Sequence, residues 1–306
     1  MSSDKMILVF GATGQQGGAV ARALRDKGWA VRALVRDPEA KKARQLAAIG
    51  IDLRKGDFSD LQSIEDAMSG AYGVFSIQPS SGQGAAYGMT DEQEVRYGKA
   101  VADIAAATGV GHVVYTSVGA AGKGETGMGH FDSKTAIEEH IRRLDLPSTI
   151  VRPSTFMEML MLPGMGLEKR TLTFLMREDQ PLQMIAASDI GRIVATIFGD
   201  PERFVGRTLD ISGDELTGRQ LQEVFSKAAG KAITYNRFSD SVLDENPFLG
   251  RLAALVDDGR CAGSADIPAL RREFGELLTL AQWLSDEGRL LFARALQAAD
   301  APVALR

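Results

Sequence analysis

The chain has 306 residues, of which 44% are hydrophobic and 25% are charged, and its formal net charge is −5. This length suffices for one large domain or two modest ones, with a core that needs no disulfide or metal to hold it together. The acidic balance argues against a protein that binds nucleic acid without regard to sequence, because such proteins usually present a basic face. We therefore expect no direct nucleic-acid partner.

Cysteine content and the lack of long apolar segments indicate a cellular compartment. The single cysteine, Cys261, cannot form an internal disulfide, which suits a reducing cytoplasm, and we interpret it as apolar filling. The N-terminal segment MSSDKMILVF contains an acid and no cleavage-site pattern, so no signal peptide is predicted. No stretch reaches the ~20 apolar residues of a membrane span. We expect a cytoplasmic protein without a membrane partner.

Short β-type runs alternate with helical stretches through the first half of the chain. The predicted strands are KMILVF (5–10), WAVRALVR (29–36), IDLRKGD (51–57), YGVFSI (72–77), HVVYTSV (112–118) and STIVRP (148–153). Because helices separate these strands, they predict an α/β fold with a doubly wound parallel sheet of the Rossmann type.

Local signals indicate where the helices of this half begin. Asp37 is predicted to cap the helix after the second strand, and Ser59 the helix after the third. Thr90 and Gln93 have the spacing of a capping box for the helix after the fourth strand. The segment FDSKTAIEEHIRRL (131–144) is predicted to be helical.

The pattern changes after about residue 155, where helices dominate. Short strands are predicted there at MIAA (184–187), TLDIS (208–212) and AITYNRF (232–238). We therefore divide the chain into a nucleotide-binding domain over 1–153 and a smaller, mostly helical C-terminal part over 154–306.

The glycine-rich segment GATGQQGG (11–18) joins the first strand to the first helix. Gly11 can make a tight turn, Gly14 can admit a pyrophosphate close to the backbone, and Gly17 or Gly18 can let the helix pack closely on the strand. Free amides at the helix start would then hold the phosphates. A turn without a ligand is the alternative, but the surrounding strands and helices favour a dinucleotide. The predicted contacts are Gly11, Thr13, Gly14, Gln15, Gln16 and Gly17.

Residues that end the second strand bear on the choice of dinucleotide. The guanidinium of Arg36 suits a 2′-phosphate, whereas Asp37 could accept a hydrogen bond from a 2′-hydroxyl or cap the next helix. Lys41 and Lys42 could add positive charge or lie on a solvated helix face. The sequence therefore favours NADP(H) over NAD(H).

Two further strand ends are predicted to contribute contacts. Asp57 and Phe58 follow the third strand, where the adenine lies in this topology. Asp57 could accept from the adenine amino group or serve as a turn residue, and both interpretations stay open. After the fourth strand, Ile77 and Gln78 are expected to contact the cofactor through their backbone.

Five motifs together, GATGQQGG, LVRDP, GDFSD, HFDSK and VRPSTFMEML, resemble those of NmrA-like proteins, which are atypical members of the short-chain dehydrogenase/reductase superfamily. The resemblance implies a Rossmann domain that binds NADP(H), followed by a small C-terminal domain. It implies that Arg36 contacts the 2′-phosphate and that Arg96 and Lys134 are basic cofactor contacts. The segment it places beside the nicotinamide consists of Ser154, Thr155, Phe156 and Met157.

The resemblance leaves two functions open. NmrA-like proteins include NADP(H) redox sensors that bind regulatory partners, and looser relatives reduce quinones, dyes or phenylpropanoid-type compounds. We favour a redox-state sensor or regulator with little or no turnover. The alternative is an NADPH-dependent reductase of a small planar acceptor such as a quinone, an enone or an aldehyde. A regulatory protein partner and self-association are both compatible with the sequence.

The catalytic pair of ordinary short-chain reductases is only half present. Those enzymes carry Tyr-x-x-x-Lys on the helix after the fifth strand, where the lysine holds the nicotinamide ribose and lowers the pKa of the proton-donating tyrosine. Lys134 could hold that ribose here or be a surface lysine. Here Lys134 is preceded by His130 at the tyrosine position, and the nearest tyrosine, Tyr115, lies in the strand. His130 could replace the tyrosine as the acid, line the pocket without a catalytic role, or lie in the loop before the helix. Ser117 could polarise a substrate carbonyl or have no role.

Other potentially reactive groups suggest no competing chemistry. The three histidines are spread out and there is one cysteine, so no zinc site is predicted. Glu138 and Glu139 are adjacent and are expected to be solvated. The methionine-rich run over 156–166 is interpreted as core or, alternatively, as a pliable pocket wall. The Gly-rich loops over 78–90 and 119–129 could become ordered when the cofactor binds.

Overall fold

The structure is a computed structural model that describes residues 5–81 and 88–304. The chain forms two compact units. The first contains the described residues of Met1–Gly122, Gly129–Arg152 and Ile190–Leu209, and the second contains those of Lys123–Met128, Pro153–Asp189 and Asp210–Arg306.

A seven-stranded parallel sheet organises the first unit. Its strands are β1 (Met6–Val9), β2 (Ala30–Val35), β3 (Asp52–Lys55), β4 (Gly73–Ser76), β5 (His112–Thr116), β6 (Ser148–Pro153) and β10 (Thr208–Ile211). They lie in the order β10-β6-β5-β4-β1-β2-β3. The order runs outward in both directions from β1 and β4, which makes their carboxyl ends the switch point where ligands bind in such sheets. The predicted doubly wound α/β fold is confirmed.

The central strands are continuous apolar runs because helices cover both faces of the sheet. Ile7, Leu8 and Val9 of β1 have no exposed surface, and every residue of β4 and β5 is buried. At the edge of the sheet, β3 is polar and partly exposed. This gradient of burial places the core at β1, β4 and β5.

The helices of the first unit follow the predicted order. They are α1 (Gln15–Asp26), α2 (Lys41–Ala48), α3 (Leu61–Met68), α4 (Asp91–Ala107), α5 (Gly129–Arg143), most of α6 (Ala187–Gly199) and α7 (Pro201–Phe204). The predicted capping box of α4 is confirmed, since Thr90 Oγ1 accepts from the Gln93 amide at 3.2 Å and Gln93 Oε1 accepts from the Thr90 amide at 2.9 Å.

Two predicted helix caps are wrong. The carboxylate of Asp37 accepts from the amide of Glu39 at 2.9 Å and forms a local turn, so that α2 begins only at Lys41. Helix α3 is capped by Asp60, whose carboxylate accepts from the Ser63 amide, and not by Ser59. In both places an aspartate carboxylate accepts a hydrogen bond from a nearby amide, but only that of Asp60 caps a helix.

The first unit includes a segment, 190–209, that the sequence-based division leaves in the C-terminal part. Helix α6 packs on the sheet unit. A Cβ at Gly191 would lie 2.6 Å from the carbonyl oxygen of Ala19 on α1. The ring of Phe198 lies 5.4 Å from that of His112 on β5. Contacts with α1 and β5 therefore tie this later segment to the sheet.

The second unit has small sheets and several short helices. Its strands are β7 (Thr155–Phe156), β8 (Thr171–Phe174), β9 (Leu182–Ile185), β11 (Asp214–Leu216) and β12 (Thr234–Arg237). Its helices are α8 (Gly218–Ala229), α9 (Asp240–Glu245), α10 (Pro247–Asp257), α11 (Ile267–Phe274), α12 (Leu280–Ser285) and α13 (Arg289–Leu296). Met157, Met161 and Met165 of the methionine-rich run are buried, in agreement with its interpretation as core.

His112 at the start of β5 is a buried histidine held neutral by the fold. It has no exposed surface, and its Nε2 lies 2.8 Å from Thr149 Oγ1. Its Nδ1 has no hydrogen-bond partner among residues 5–81 and 88–304. Burial lowers the pKa of His112 from 6.5 to about 4.

Replacement of His112 by Gln is expected to reduce the acid sensitivity of the fold. Because the folded pKa is lowered, the unfolded chain takes up more protons as the pH falls from 6.5 towards 4, and the stability present above pH 6.5 is lost over this range. Between pH 7 and pH 5 the wild type should lose about 1–2 kcal/mol more of its free energy of unfolding than the variant. Urea unfolding at both pH values measures this difference, and equal losses would contradict the prediction.

Candidate functional site

The turn after β1 brings helix α1 against the backbone of the strand. Gly11 has a φ of +63°, and its carbonyl accepts from the Gly14 amide at 2.8 Å. A Cβ at Gly17 would lie 2.4 Å from the Gly11 carbonyl oxygen and 2.7 Å from that of Phe10. Position 17 therefore has no room for a side chain, which is the close helix–strand packing expected of the third glycine.

The start of α1 is open at the carboxyl end of β1. Gly14 is the N-cap residue and provides no side-chain cap for the helix. Gly14 and Gln15 are exposed and Thr13 is half-buried. Amides in the first turn of a helix point outward and, with the helix dipole, favour an anion. The turn therefore has the geometry of a phosphate-binding loop.

A cavity of about 130 Å³ lies at the carboxyl ends of β4 and β5. Its lining consists of Gln16 from α1, Ile77, Gln78 and Ser80 after β4, Glu94 from α4, Tyr115, Thr116 and Ser117 at the end of β5, and Lys134 from α5. The Gln16 amide donates to Thr116 Oγ1 at 2.6 Å, and the Gln78 amide donates to Ser76 Oγ at 2.9 Å. Side chains that the sequence places far apart thus form one polar wall.

An ion pair between Lys134 and Glu94 lies in this wall. Lys134 Nζ donates to Glu94 Oε1, to the His130 carbonyl oxygen at 3.1 Å and to Ser80 Oγ at 3.4 Å. The Glu94 side chain is 2% exposed and that of Lys134 is 18% exposed. Glu94 is not apparent from the sequence, because an acid in the acidic first turn of α4 is already explained by the helix dipole.

The close packing of α4 on α5 accounts for this pair. A Cβ at Gly98 would lie 2.4 Å from Ile137 Cδ1, so the two helices approach more closely than a larger residue would permit. Glu94 lies one turn before Gly98, and Lys134 lies three residues before Ile137. A glycine in the middle of a predicted helix was the one sequence signal of this approach.

His130 lies in the first turn of α5, so its interpretation as a loop residue is wrong. Its ring is half-buried and lies 4.0 Å from the ring of Phe131. Burial lowers the pKa of His130 to about 4, and the Lys134 cation adds to this effect, while Asp91 and Asp132 oppose it. At pH 7 about one imidazole in a thousand would carry a proton. This argues against His130 as a general acid.

Tyr115 lines the cavity from within β5, and its environment weakens it as an acid. It is fully buried, and burial raises its pKa well above 10.0, with the carboxylates of Glu94 and Glu138 acting in the same direction. In Tyr-x-x-x-Lys enzymes the lysine has the opposite effect on the tyrosine. The raised pKa makes Tyr115 a weaker proton donor than the tyrosine of those enzymes, so it does not take over that role.

Glu138 is buried on α5, and its expected solvation is wrong. Its carboxylate accepts from Arg152 Nε at 2.8 Å, from Arg152 Nη2 at 2.6 Å and from Arg142 Nη2 at 2.7 Å. Burial alone would raise the pKa of Glu138, but the hydrogen bonds from Arg152 and Arg142 outweigh it and lower the pKa. Ser117 is buried at the end of β5, and its hydroxyl has no hydrogen-bond partner that meets the usual geometry among the described residues. Glu139 is exposed, as expected, and pairs with Arg143.

Comparison with known proteins identifies the family. Residues 3–257 match the model of the NmrA-like family. The chain belongs to the NmrA-like family. An NmrA-like family domain-containing protein of Dictyostelium discoideum is 32% identical over 255 residues, covering 78% of this chain and 82% of the relative. The NAD(P)H azoreductase of Xenophilus azovorans is 27% identical over 232 residues, covering 75% of this chain and 76% of that enzyme.

Solved structures agree with the fold. NmrA, a negative transcriptional regulator solved in complex with NADP, superposes with a TM-score of 0.78 at 21% identity, over 94% of this chain and 97% of NmrA. NmrA has also been solved in complex with NAD. The resemblance to NmrA-like proteins that the sequence motifs indicate is confirmed.

The predicted adenosine-side contacts of this NmrA-like chain lie at the ends of β2 and β3. Arg36 is exposed directly after β2, and it is close enough to Asp57 to lower the pKa of that carboxyl. The larger contribution to the lowered pKa comes from Ser59, whose hydroxyl and amide donate to Asp57 at 2.5 and 2.7 Å. Asp57 therefore serves as a turn residue, and its hydrogen bonds with Ser59 account for its position without a ligand.

Phe58 and Arg96 lie beside this region with partners of their own. The ring of Phe58 lies 5.3 Å from that of Phe10 and 5.6 Å from that of Tyr97. Arg96 is exposed on α4, with its guanidinium 5.2 Å from the Tyr97 ring centre. Lys41 and Lys42 are exposed in the first turn of α2.

The segment that the family resemblance places beside the nicotinamide lies in the second unit. Ser154 donates its amide to the Ile211 carbonyl at 3.0 Å and its hydroxyl to Ser212 Oγ at 3.0 Å. Thr155 and Phe156 form β7, which pairs with β9, and Met157 has no exposed surface. Of the Gly-rich loop over 78–90, residues 82–87 lie outside the described residues, so its proposed ordering stays a prediction.

Metal and thiol chemistry receive no support from the described part of the chain. Within it, no group of three or more His, Cys, Asp or Glu residues could hold a metal ion. The pKa of Cys261 is raised to about 12, chiefly by burial, which makes it a poor nucleophile at neutral pH. Among the same residues, no helix is both long enough and apolar enough to cross a membrane.

Replacement of Gly17 by Ala is expected to destabilise the fold by about 1–3 kcal/mol, because the added Cβ must displace the backbone of the β1 turn. Gly199 at the end of α6 is the matched control, since a Cβ there would meet nothing within 4 Å. Gly199→Ala should change the free energy of unfolding by less than about 1 kcal/mol or stabilise the fold. Urea unfolding compares both variants, and equal effects would contradict the steric argument.

Proposed function

We propose that this NmrA-like protein binds NADP(H) at the carboxyl end of the first unit's sheet and acts as a redox-state sensor or regulator with little or no turnover. Membership of the NmrA-like family supports dinucleotide binding, as do the glycine turn and the cavity at the switch point of the sheet. A sensor of this kind would act through a regulatory protein partner. Its location in the cytoplasm stays a prediction.

The residues of the first unit fit such a dinucleotide. Position 17 excludes a side chain, and α1 begins without a side-chain cap, so the first turn of the helix can receive a pyrophosphate. The exposed guanidinium of Arg36 can receive a 2′-phosphate. The residues that would hold the cofactor from this unit are Gly11, Thr13, Gly14, Gln15, Gln16, Gly17, Arg36, Asp57, Phe58, Ile77, Gln78, Arg96 and Lys134.

The lowered pKa of His130 carries the choice of a sensor over an enzyme. A bound nicotinamide supplies or takes a hydride. This chain's residues would have to supply the accompanying proton, and His130, at the position of the usual tyrosine, is neutral at pH 7 because its pKa is about 4. The raised pKa of Tyr115 makes it a weak donor as well. The site therefore suits binding better than acid catalysis.

A reductase is the second candidate, and the similarity to the NAD(P)H azoreductase favours it. Acceptors such as quinones can take their protons from water, so a missing acid slows turnover by about 10²–10⁴-fold without forbidding it. Lys134 would then orient the cofactor, and no protonated side chain would be required at position 130.

Replacement of Arg36 by Gln tests the NADP(H) preference. Loss of the guanidinium should weaken NADPH binding about 10–100-fold, the value of a charge-assisted hydrogen bond, and should leave NADH binding nearly unchanged. Isothermal titration of both nucleotides measures the effect. Arg54→Gln is the control, because Arg54 is also an exposed arginine and lies in β3, the strand that pairs with β2. Equal losses for NADPH and NADH would contradict the assignment of Arg36.

Turnover by the NADPH-loaded protein separates the two candidate functions. We expect a kcat below about 0.1 s⁻¹ with quinones, azo dyes, enones and aldehydes, because His130 is a poor proton donor at pH 7. His130→Phe should change any residual rate less than about twofold, since it removes an imidazole that is neutral at pH 7. NADPH oxidation at 340 nm gives both rates. Saturable turnover above about 1 s⁻¹ would favour the reductase, and its loss in the variant would make His130 the acid.

A further inference from the structure

Glu94 has one carboxylate oxygen that the described protein groups leave without a partner. Its residue is 1% exposed, and it lines the cavity at the ends of β4 and β5. Oε1 accepts from Lys134 Nζ, whereas Oε2 has no hydrogen-bond partner within residues 5–81 and 88–304. Buried carboxylate oxygens are normally paired, and an unpaired one destabilises the protein. Glu94, a residue of the cavity wall, therefore carries a buried acceptor without a hydrogen-bond donor from the described residues.

Lys134 lines the cavity, but its ammonium hydrogens are already donated to protein acceptors. An ammonium has three hydrogens, and among the described residues Lys134 Nζ has three acceptors: Glu94 Oε1, the His130 carbonyl oxygen and Ser80 Oγ. Ser80 is the most distant of them, at 3.4 Å. The open polar atom of the pair thus belongs to the glutamate, which accepts a hydrogen bond, and not to the lysine, which donates one.

The unpaired carboxylate oxygen of Glu94 can bind only a group that donates a hydrogen bond. It repels phosphate and attracts a hydroxyl or an N–H group. The helix start at Gly14 and Gln15 provides the opposite preference, because its amides attract an anion. The two features lie at the ends of neighbouring strands, β1 and β4–β5, of one sheet. A ligand that spans them would place phosphates at α1 and a hydroxylated group at Glu94.

We infer that Glu94 recognises the ribose on the nicotinamide side of the bound dinucleotide, by accepting a hydrogen bond from a ribose hydroxyl through Oε2. This inference rests on the proposed NADP(H) binding and extends it with a residue that determines affinity for the second ribose. Lys134 is then a positioning residue for Glu94: its ammonium fixes one carboxylate oxygen and leaves the other without a partner.

Titration with two fragments of the cofactor tests the assignment. Adenosine 2′,5′-bisphosphate contains the 2′-phosphate and lacks the second ribose, whereas 2′-phospho-ADP-ribose contains both and lacks only the nicotinamide ring. Glu94→Gln keeps an oxygen for Lys134 and replaces Oε2 by an amide. We expect it to weaken 2′-phospho-ADP-ribose and NADPH about tenfold, and to change the affinity for adenosine 2′,5′-bisphosphate less than about twofold.

Glu139→Gln is the matched control, because it makes the same substitution on an exposed glutamate of α5 and should leave all three affinities unchanged. Thermal unfolding and the binding of the bisphosphate report whether each variant is folded. If Glu94→Gln does not fold, Glu94→Asp replaces it, because it keeps the negative charge that pairs with Lys134 and shortens the side chain by one methylene group; the same selective loss is expected.

Three outcomes are decisive. Selective weakening of the two ligands that contain the second ribose supports the inference. Equal weakening of all three ligands, or no weakening of any, overturns it while leaving NADP(H) binding intact. If the wild type fails to bind NADPH at all, the proposed function fails and the inference fails with it.

Discussion

The contact between α1 and the backbone of β1 is the constraint on which the site depends. Because a Cβ at Gly17 would lie 2.4 Å from the Gly11 carbonyl oxygen, the helix starts directly on the turn. That position allows Gln16, one residue earlier, to reach Thr116 on β5, two strands away in the sheet. The same approach therefore creates the phosphate-binding geometry of the helix start and one wall of the neighbouring cavity.

Two buried carboxylates determine the electrostatics around the end of β5. Glu94 pairs with Lys134, and Glu138 pairs with Arg152 and Arg142, so each negative charge is compensated locally. Both carboxylates raise the pKa of Tyr115. Proton-transfer catalysis needs a group whose pKa lies near the working pH, and this arrangement moves the tyrosine away from it. The charges stabilise a fixed polar wall.

Local signals in the sequence predicted much of the fold but less of the site. The glycine turn, the strand runs and the Thr90–Gln93 capping box depend on residues close in sequence, and they were found. The cap at Ser59 was wrong because the adjacent Asp60 takes that role, and the cap at Asp37 was wrong because its carboxylate forms a local turn with Glu39 before the helix begins. Glu94 was missed, and Glu138 was wrongly expected to be solvated, because acids on helices normally face solvent. Their partners Lys134 and Arg152 are 40 and 14 residues away, which no local pattern reveals.

A redox sensor must bind the oxidised and reduced cofactors with different affinities, since a ligand without differential affinity shifts no equilibrium. The ribose is the same in NADP⁺ and NADPH, so a bond from Glu94 to its hydroxyl strengthens both complexes equally. A lone Lys134 would repel the positively charged oxidised ring. The carboxylate of Glu94 compensates that cation, and the pair as a whole is neutral. In the proposed binding mode the first unit thus supplies affinity with little redox preference, and discrimination between the two forms requires other contacts to the ring.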